Sequence, residues 1–290
     1  MPCEIWPTKS SLDWNLRLQT RCEIFLKKTI PYRWTSALAV LGVGGMIRFG
    51  FPYPEQQLLP IELVILTLLS FTTLIYQYDS IALTGDPSRD FPSAWNNNRV
   101  LLLSFTAAFF CSVYSFTVLP TYLYEEMIFG IALITIYFLP LKWVRYLLDR
   151  VHLIRWAFLS TIIGGAGVIV AGTTESFFCA LLLVVPLICG NLMVCDYRDS
   201  EVDLYDPQRN AFSAEESVVK KLIVVLFTLS LASVTLVQQW HEISAERWII
   251  SDAIGFGILW YACQQKSQPW RLTLIADSAL FVTFILLILI

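Results

Sequence analysis

Beyond residue 33 the chain alternates long apolar stretches with short polar ones. The apolar stretches lie approximately at 34–50, 58–78, 100–119, 125–141, 155–172, 176–195, 219–239, 248–263 and 271–290. Each runs to about 17 to 21 residues, enough for a helix to cross a bilayer core. The pattern predicts an all-α integral membrane protein with nine transmembrane helices. Ahead of it, residues 11–30 set Leu12, Leu16, Ile24 and Phe25 among Arg and Lys, the signature of an amphipathic helix lying on a membrane surface. A poorly ordered tail is the alternative reading of the same residues. Two units are expected: an N-terminal segment over 1–33 and one transmembrane domain over 34–290.

Composition agrees with the pattern. The 290 residues are 56% hydrophobic and only 15% charged, with mean hydropathy +0.62, far from soluble averages. Charge placement then orients the chain, because cytoplasmic loops are rich in Lys and Arg. With the N-terminus inside, every one of the 20 basic residues except Arg48 and Arg247 falls on the inner side. No cleavable signal peptide is expected, since the first apolar stretch comes after some thirty polar and charged residues. The protein should therefore be multi-pass, with its N-terminus cytoplasmic and its C-terminus outside. A net charge of −3 accompanies no basic cluster of the kind nucleic acid would need, and no nucleic-acid partner is expected.

The seven cysteines show no CxxC spacing and the chain has only two histidines, His152 and His241. Disulfides and zinc are not expected. Carboxylate remains as the metal-binding group, and carboxylate suits magnesium.

Carboxylates gather where the sixth apolar stretch ends. In Asp196-Tyr-Arg-Asp199-Ser-Glu-Val-Asp203, offsets of three, four and seven put three acids on neighbouring turns of one helical face. Like charges at such spacings repel, so a cation is expected among them, and a divalent metal is the economical one. The second apolar stretch ends in Asp79, Ala82 and Asp86, which repeat the spacing of Asp196, Asp199 and Asp203. Two structurally equivalent halves would each bring an acidic helix end to a shared site. Magnesium held by carboxylates typically bridges to substrate phosphates, so the natural ligand is a diphosphate. Lys142, Arg145, Arg198, Arg99 and Arg209 stand on the correct side to neutralise its remaining charge. A lipid-soluble diphosphate explains why the bundle lies in a membrane.

These residues resemble the UbiA superfamily of intramembrane prenyltransferases. That family has nine transmembrane helices, with one Asp-rich motif after the second and another after the sixth, where Asp79 and Asp196 fall here. Asp196-x-x-Asp199-x-x-x-Asp203 is similar to the family's second motif, and Tyr137-Phe-Leu-Pro-Leu-Lys142 to its Tyr-and-Lys element between the fourth and fifth helices. The first motif departs from the family pattern, with Tyr78 and Ala82 in place of its Asn and its middle Asp. The resemblance implies ionisation of an allylic diphosphate and attack by an electron-rich acceptor on the resulting cation. It implies metal ligation by Asp196, Asp199 and Asp203, and by Asp79 and Asp86, with Asp196, Asp199 and Lys142 carrying the chemistry. Lys142, Arg145 and Arg198 would contact the diphosphate, and Tyr76, Tyr78 and Tyr137 would shelter the cation. The partners implied are a polyprenyl diphosphate, an acceptor and the bilayer.

Asn191, inside the sixth stretch, is a site residue or an interhelical hydrogen-bonding group. Arg48 should snorkel to the outer interface, Glu62 and Asp252 should be outer interfacial charges, and Asp277 should pair with Lys266 or Arg271. Both histidines read as interfacial, and Gly164, Gly165 and Gly167 as close helix packing. Three other functions fit parts of the pattern: a terpene cyclase, a catalytically lapsed relative that binds a prenyl lipid, and a transporter.

Overall fold

The computed structural model describes residues 34–51, 59–82, 99–124, 128, 131–132, 151–171, 177–203, 214–265 and 269–290. Among them are eight α-helices: α1 (Trp34–Gly50), α2 (Ile61–Ala82), α3 (Arg99–Val118), α4 (His152–Ala171), α5 (Phe177–Asp203), α6 (Glu216–Gln238), α7 (Ala245–Cys263) and α8 (Pro269–Leu289). The segment 1–33 lies outside the described residues, as does nearly all of the helix expected at 125–141. Apolar windows within α4, α5, α6 and α8 are long and apolar enough to cross a membrane, and α1, α2 and α3 contain shorter apolar runs. The described chain is a helical integral membrane protein.

Helix ends differ informatively from the apolar stretches. The α2 helix runs on to Ala82 and so includes Asp79, and α5 runs on to Asp203 and takes in its entire acidic motif. A helix satisfies its own backbone groups whether or not its side chains are apolar. The acids therefore stand on turns that continue a membrane helix.

The α5 helix sits in the middle of the bundle, with 67% of its apolar window buried against 22% for α6 at the periphery. It packs against α4, α6, α7 and α8, while α1 packs against α8, α4 and α2, and α3 packs against α2. Met193, Val194, Leu187 and Ile188 of α5 join Val43, Met46 and Ile47 of α1 and Leu272, Ala276 and Ala279 of α8 in one core. Packing between spans cannot draw on the hydrophobic effect, because lipid tails are as apolar as leucine, so close approach matters more. A Cβ on Gly42 would lie 2.8 Å from the Leu280 carbonyl oxygen and 2.9 Å from Phe281 Cα, which puts the α1 and α8 backbones in contact. In α4, Gly164 against Leu181 and Gly167 against Val43 and Ile47 also pack closely, as expected, whereas a Cβ on Gly165 would make only an ordinary 3.5 Å contact with Phe177.

Gly42→Val is expected to destabilise the bundle by about 1–3 kcal/mol, because backbone cannot rotate aside as a side chain can. Thermal unfolding in detergent checks this, with Gly257→Ala as the control. A Cβ on Gly257 meets nothing within 4 Å, so that variant should lose no stability.

Contacts between elements define the surroundings of four polar residues and correct the reading of Asp252. Asp252 is 1% exposed and accepts a hydrogen bond from Ser230 of α6, so it is no interfacial charge. Asp277 is buried at 5% exposure and accepts a 3.3 Å bond from Ser36 of α1. Arg48 donates to the Leu59 carbonyl at 2.6 Å and ties the end of α1 to the start of α2. His152 faces Asp196, a carboxylate of α5. For Asp252, Asp277 and His152 a neighbouring helix supplies the polar partner, and for Arg48 the backbone just ahead of α2 does, which is how a polar group persists away from water.

Candidate functional site

The acidic helix end is built around Asp196. Immediately before it, Met193 and Val194 are fully buried, and immediately after it Tyr197 is 3% exposed. Core packing on both sides fixes the rotation of α5 and leaves Asp196 facing α4. Asp196 is itself 9% exposed.

The first turn of α4 meets it. His152, Arg155 and Trp156 stand at positions i, i+3 and i+4, one face of a helix. Arg155 Nη2 donates to Asp196 Oδ1 in a direct ion pair. Trp156 Nε1 donates to Oδ2 at 2.7 Å, and His152 Nδ1 lies 3.9 Å from the same oxygen. Both carboxylate oxygens are thus engaged by α4. Charge-assisted bonds of this kind are roughly twice as strong as neutral ones. Their effect is to lock α4 to α5 at the acidic end of the bundle.

On another face of α5, Arg198 donates to Thr273 Oγ1 of α8 at 2.5 Å. Asp277, one turn further along α8, is the carboxylate that Ser36 of α1 approaches. Polar contacts thus link α4 to α5, α5 to α8 and α8 to α1 at the end where α5 carries its acids. Deeper in the bundle, Asn191 is 6% exposed and its Nδ2 has no hydrogen-bond partner among the described residues. Of the two readings of Asn191, an interhelical bond donated by Nδ2 is not made.

The expected site residues divide by what the structure describes. Asp196, Arg198 and Asn191 are described with their side chains; Asp79, Asp199 and Asp203 are described as helical positions only. Asp86, Tyr137, Lys142 and Arg145 lie outside the described residues. Among the described side chains, no three His, Cys, Asp or Glu residues gather as a metal-holding group. The helical backbone nevertheless puts Asp196, Asp199 and Asp203 on successive turns at the end of α5. Carboxylates so arranged offer an all-oxygen donor set, the kind a hard divalent cation takes.

Sequence reading missed the partners of Asp196. Arg155 looked like one more inner-side basic residue, His152 like an interfacial group, and Trp156 like one aromatic among ten tryptophans. Their i, i+3, i+4 spacing in the first turn of a span was the available signal. A cavity of 210 Å³ lined by Phe49, Phe51, Glu242, Arg247 and Trp248 lies at the opposite end of α1 and takes no part in this site.

No family model matches the chain, and no curated protein does. A solved structure concerned with digeranylgeranylglyceryl phosphate synthase in membranes is similar to it at 15% identity with a TM-score of 0.49. The match covers 91% of this chain and 100% of that one. No residue role is carried over from that structure to this chain.

Proposed function

We propose that this protein transfers a prenyl group from a polyprenyl diphosphate to an electron-rich acceptor at the cytoplasmic edge of the membrane, with magnesium required. The observation that carries the reading is the continuation of α5, the most buried spanning helix, through Asp196, Asp199 and Asp203. Three acidic positions on successive turns of a centrally packed helix stand where a diphosphate headgroup would meet them while its prenyl chain stays in the apolar bundle.

Asp196, Asp199 and Asp203 would hold one magnesium ion, and Asp79 and Asp86 a weaker or second one. Magnesium, when bound, supplies positive charge to the phosphate oxygens. Lys142, Arg145 and Arg198 neutralise the rest as the allylic C–O bond breaks and the pair of electrons leaves with the diphosphate. Tyr76, Tyr78 and Tyr137 would offer the allylic cation electron-rich rings and keep water from it. The acceptor then bonds to the allylic carbon and loses a proton. Electrostatic stabilisation of the leaving group, rather than a covalent enzyme intermediate, is the source of the rate.

The test is binding of a labelled long-chain prenyl diphosphate to the protein in lipid nanodiscs, with magnesium and with chelator. Saturable binding that chelator removes is the expected result. A folded protein that binds equally weakly in both conditions would sink the reading.

A further inference from the structure

The ion pair between Arg155 and Asp196 raises a question of charge. Carboxylates crowded on one helix end repel one another, and the Arg155 guanidinium is the positive charge paired with Asp196. A divalent cation arriving at Asp196 would face that guanidinium as a like charge at ion-pair distance, so both cannot hold Asp196 without cost. The two donors on Asp196 differ in this respect. Trp156 is neutral, buried at 4% exposure and 2.7 Å from Oδ2, so it can keep the carboxylate oriented whatever else binds. The Arg155 side chain is 21% exposed, against 12% for that of Asp196, and so is the less enclosed of the two.

We propose that Arg155 is a diphosphate ligand held in reserve on Asp196. This rests on the prenyl-diphosphate reading above and adds an order of events to it. In the resting protein Arg155 neutralises Asp196 and disfavours metal alone. When a metal–diphosphate complex arrives, Arg155 exchanges the carboxylate for phosphate oxygens, which its planar fork matches equally well. Asp196, still fixed by the Trp156 indole, is released to the metal. Metal and diphosphate thus enter together. The protein does not fill its carboxylates with a stray divalent cation, nor does it hold an unneutralised carboxylate cluster between turnovers.

The experiment measures Mn²⁺ binding by loss of the free-ion electron paramagnetic resonance signal, with Mn²⁺ alone and with a prenyl diphosphate added. Wild type, Arg155→Met and Arg155→Lys are compared in nanodiscs. The wild type is expected to bind Mn²⁺ weakly until diphosphate is present. Arg155→Met should bind Mn²⁺ alone at least about tenfold more tightly and the diphosphate about tenfold more weakly, the size expected for a charge-assisted hydrogen-bond pair. These opposite signs are what a merely structural arginine would not produce. Arg155→Lys keeps a positive charge beside Asp196 and serves where Arg155→Met does not fold. It should leave Mn²⁺ affinity unchanged and weaken diphosphate binding several-fold. Unchanged diphosphate affinity in a folded variant, or a loss of Mn²⁺ affinity in Arg155→Met, overturns the exchange while leaving prenyl-diphosphate binding standing. A wild type without metal-dependent diphosphate binding overturns both.

Discussion

Asp199→Asn is expected to abolish magnesium-dependent binding of a prenyl diphosphate and to reduce turnover by roughly 10²-fold or more, the scale on which a preorganised electrostatic group at a reacting centre acts. Asp199 is the middle acid of the motif and stands three residues from Asp196 and four from Asp203 on the continuous helix α5. In the proposed site, neighbouring turns would put both of those residues within reach of one ion that Asp199 would also hold. Asn retains the size and one oxygen of Asp but removes the negative charge, so the change isolates charge from shape. The helix itself should be unharmed, because removing one of three like charges relieves repulsion. Thermal unfolding of Asp199→Asn should therefore match or exceed that of the wild type. Binding and turnover measured beside it separate a lost site from a lost fold, and a variant with wild-type magnesium dependence would remove Asp199 from the site.

Asp196→Ala should act first on stability. The substitution leaves the Arg155 guanidinium and the Trp156 indole N–H without the acceptor that now satisfies them. Breaking a buried ion pair from one side destabilises by about 3–5 kcal/mol, and the partial exposure of Arg155 argues for the lower end, about 3 kcal/mol. Asp196→Asn keeps an acceptor oxygen for the indole and should recover part of that loss. A double substitution, Asp196→Ala with Arg155→Met, removes both charges and should be more stable than Asp196→Ala alone. Thermal unfolding across these variants decides the point. Equal unfolding temperatures for all of them would mean that the α4–α5 contact contributes nothing to the fold.

Membrane character, and the position of each described helix to within a few residues apart from the end of α5, were legible in the sequence. Bilayer thickness imposes a length and an apolarity that each segment satisfies by itself, so no knowledge of neighbours is needed. The acidic motif was legible for the same reason, because spacings of three and four along one helix determine which side chains share a face. Helix ends were less so. Apolarity stops at Cys195 while hydrogen bonding continues to Asp203, since a helix does not depend on apolar side chains to satisfy its backbone.

Only tertiary structure could decide which face of each helix meets which neighbour. Asp252 read as a charge at a rim because hydropathy sums along a segment and is blind to rotation about its axis. Packing turns Asp252 toward Ser230 and Asp277 toward Ser36, and so buries both. The same holds for Arg155, whose partner Asp196 lies on the next helix and is read separately from it in sequence. Antiparallel packing of α4 and α5, fixed by the close approach of Gly164 to Leu181 and Val184, sets the register that brings the two together. Local pattern determined what each helix is and where the acids stand along it, while contact between helices decided which cation the acid holds.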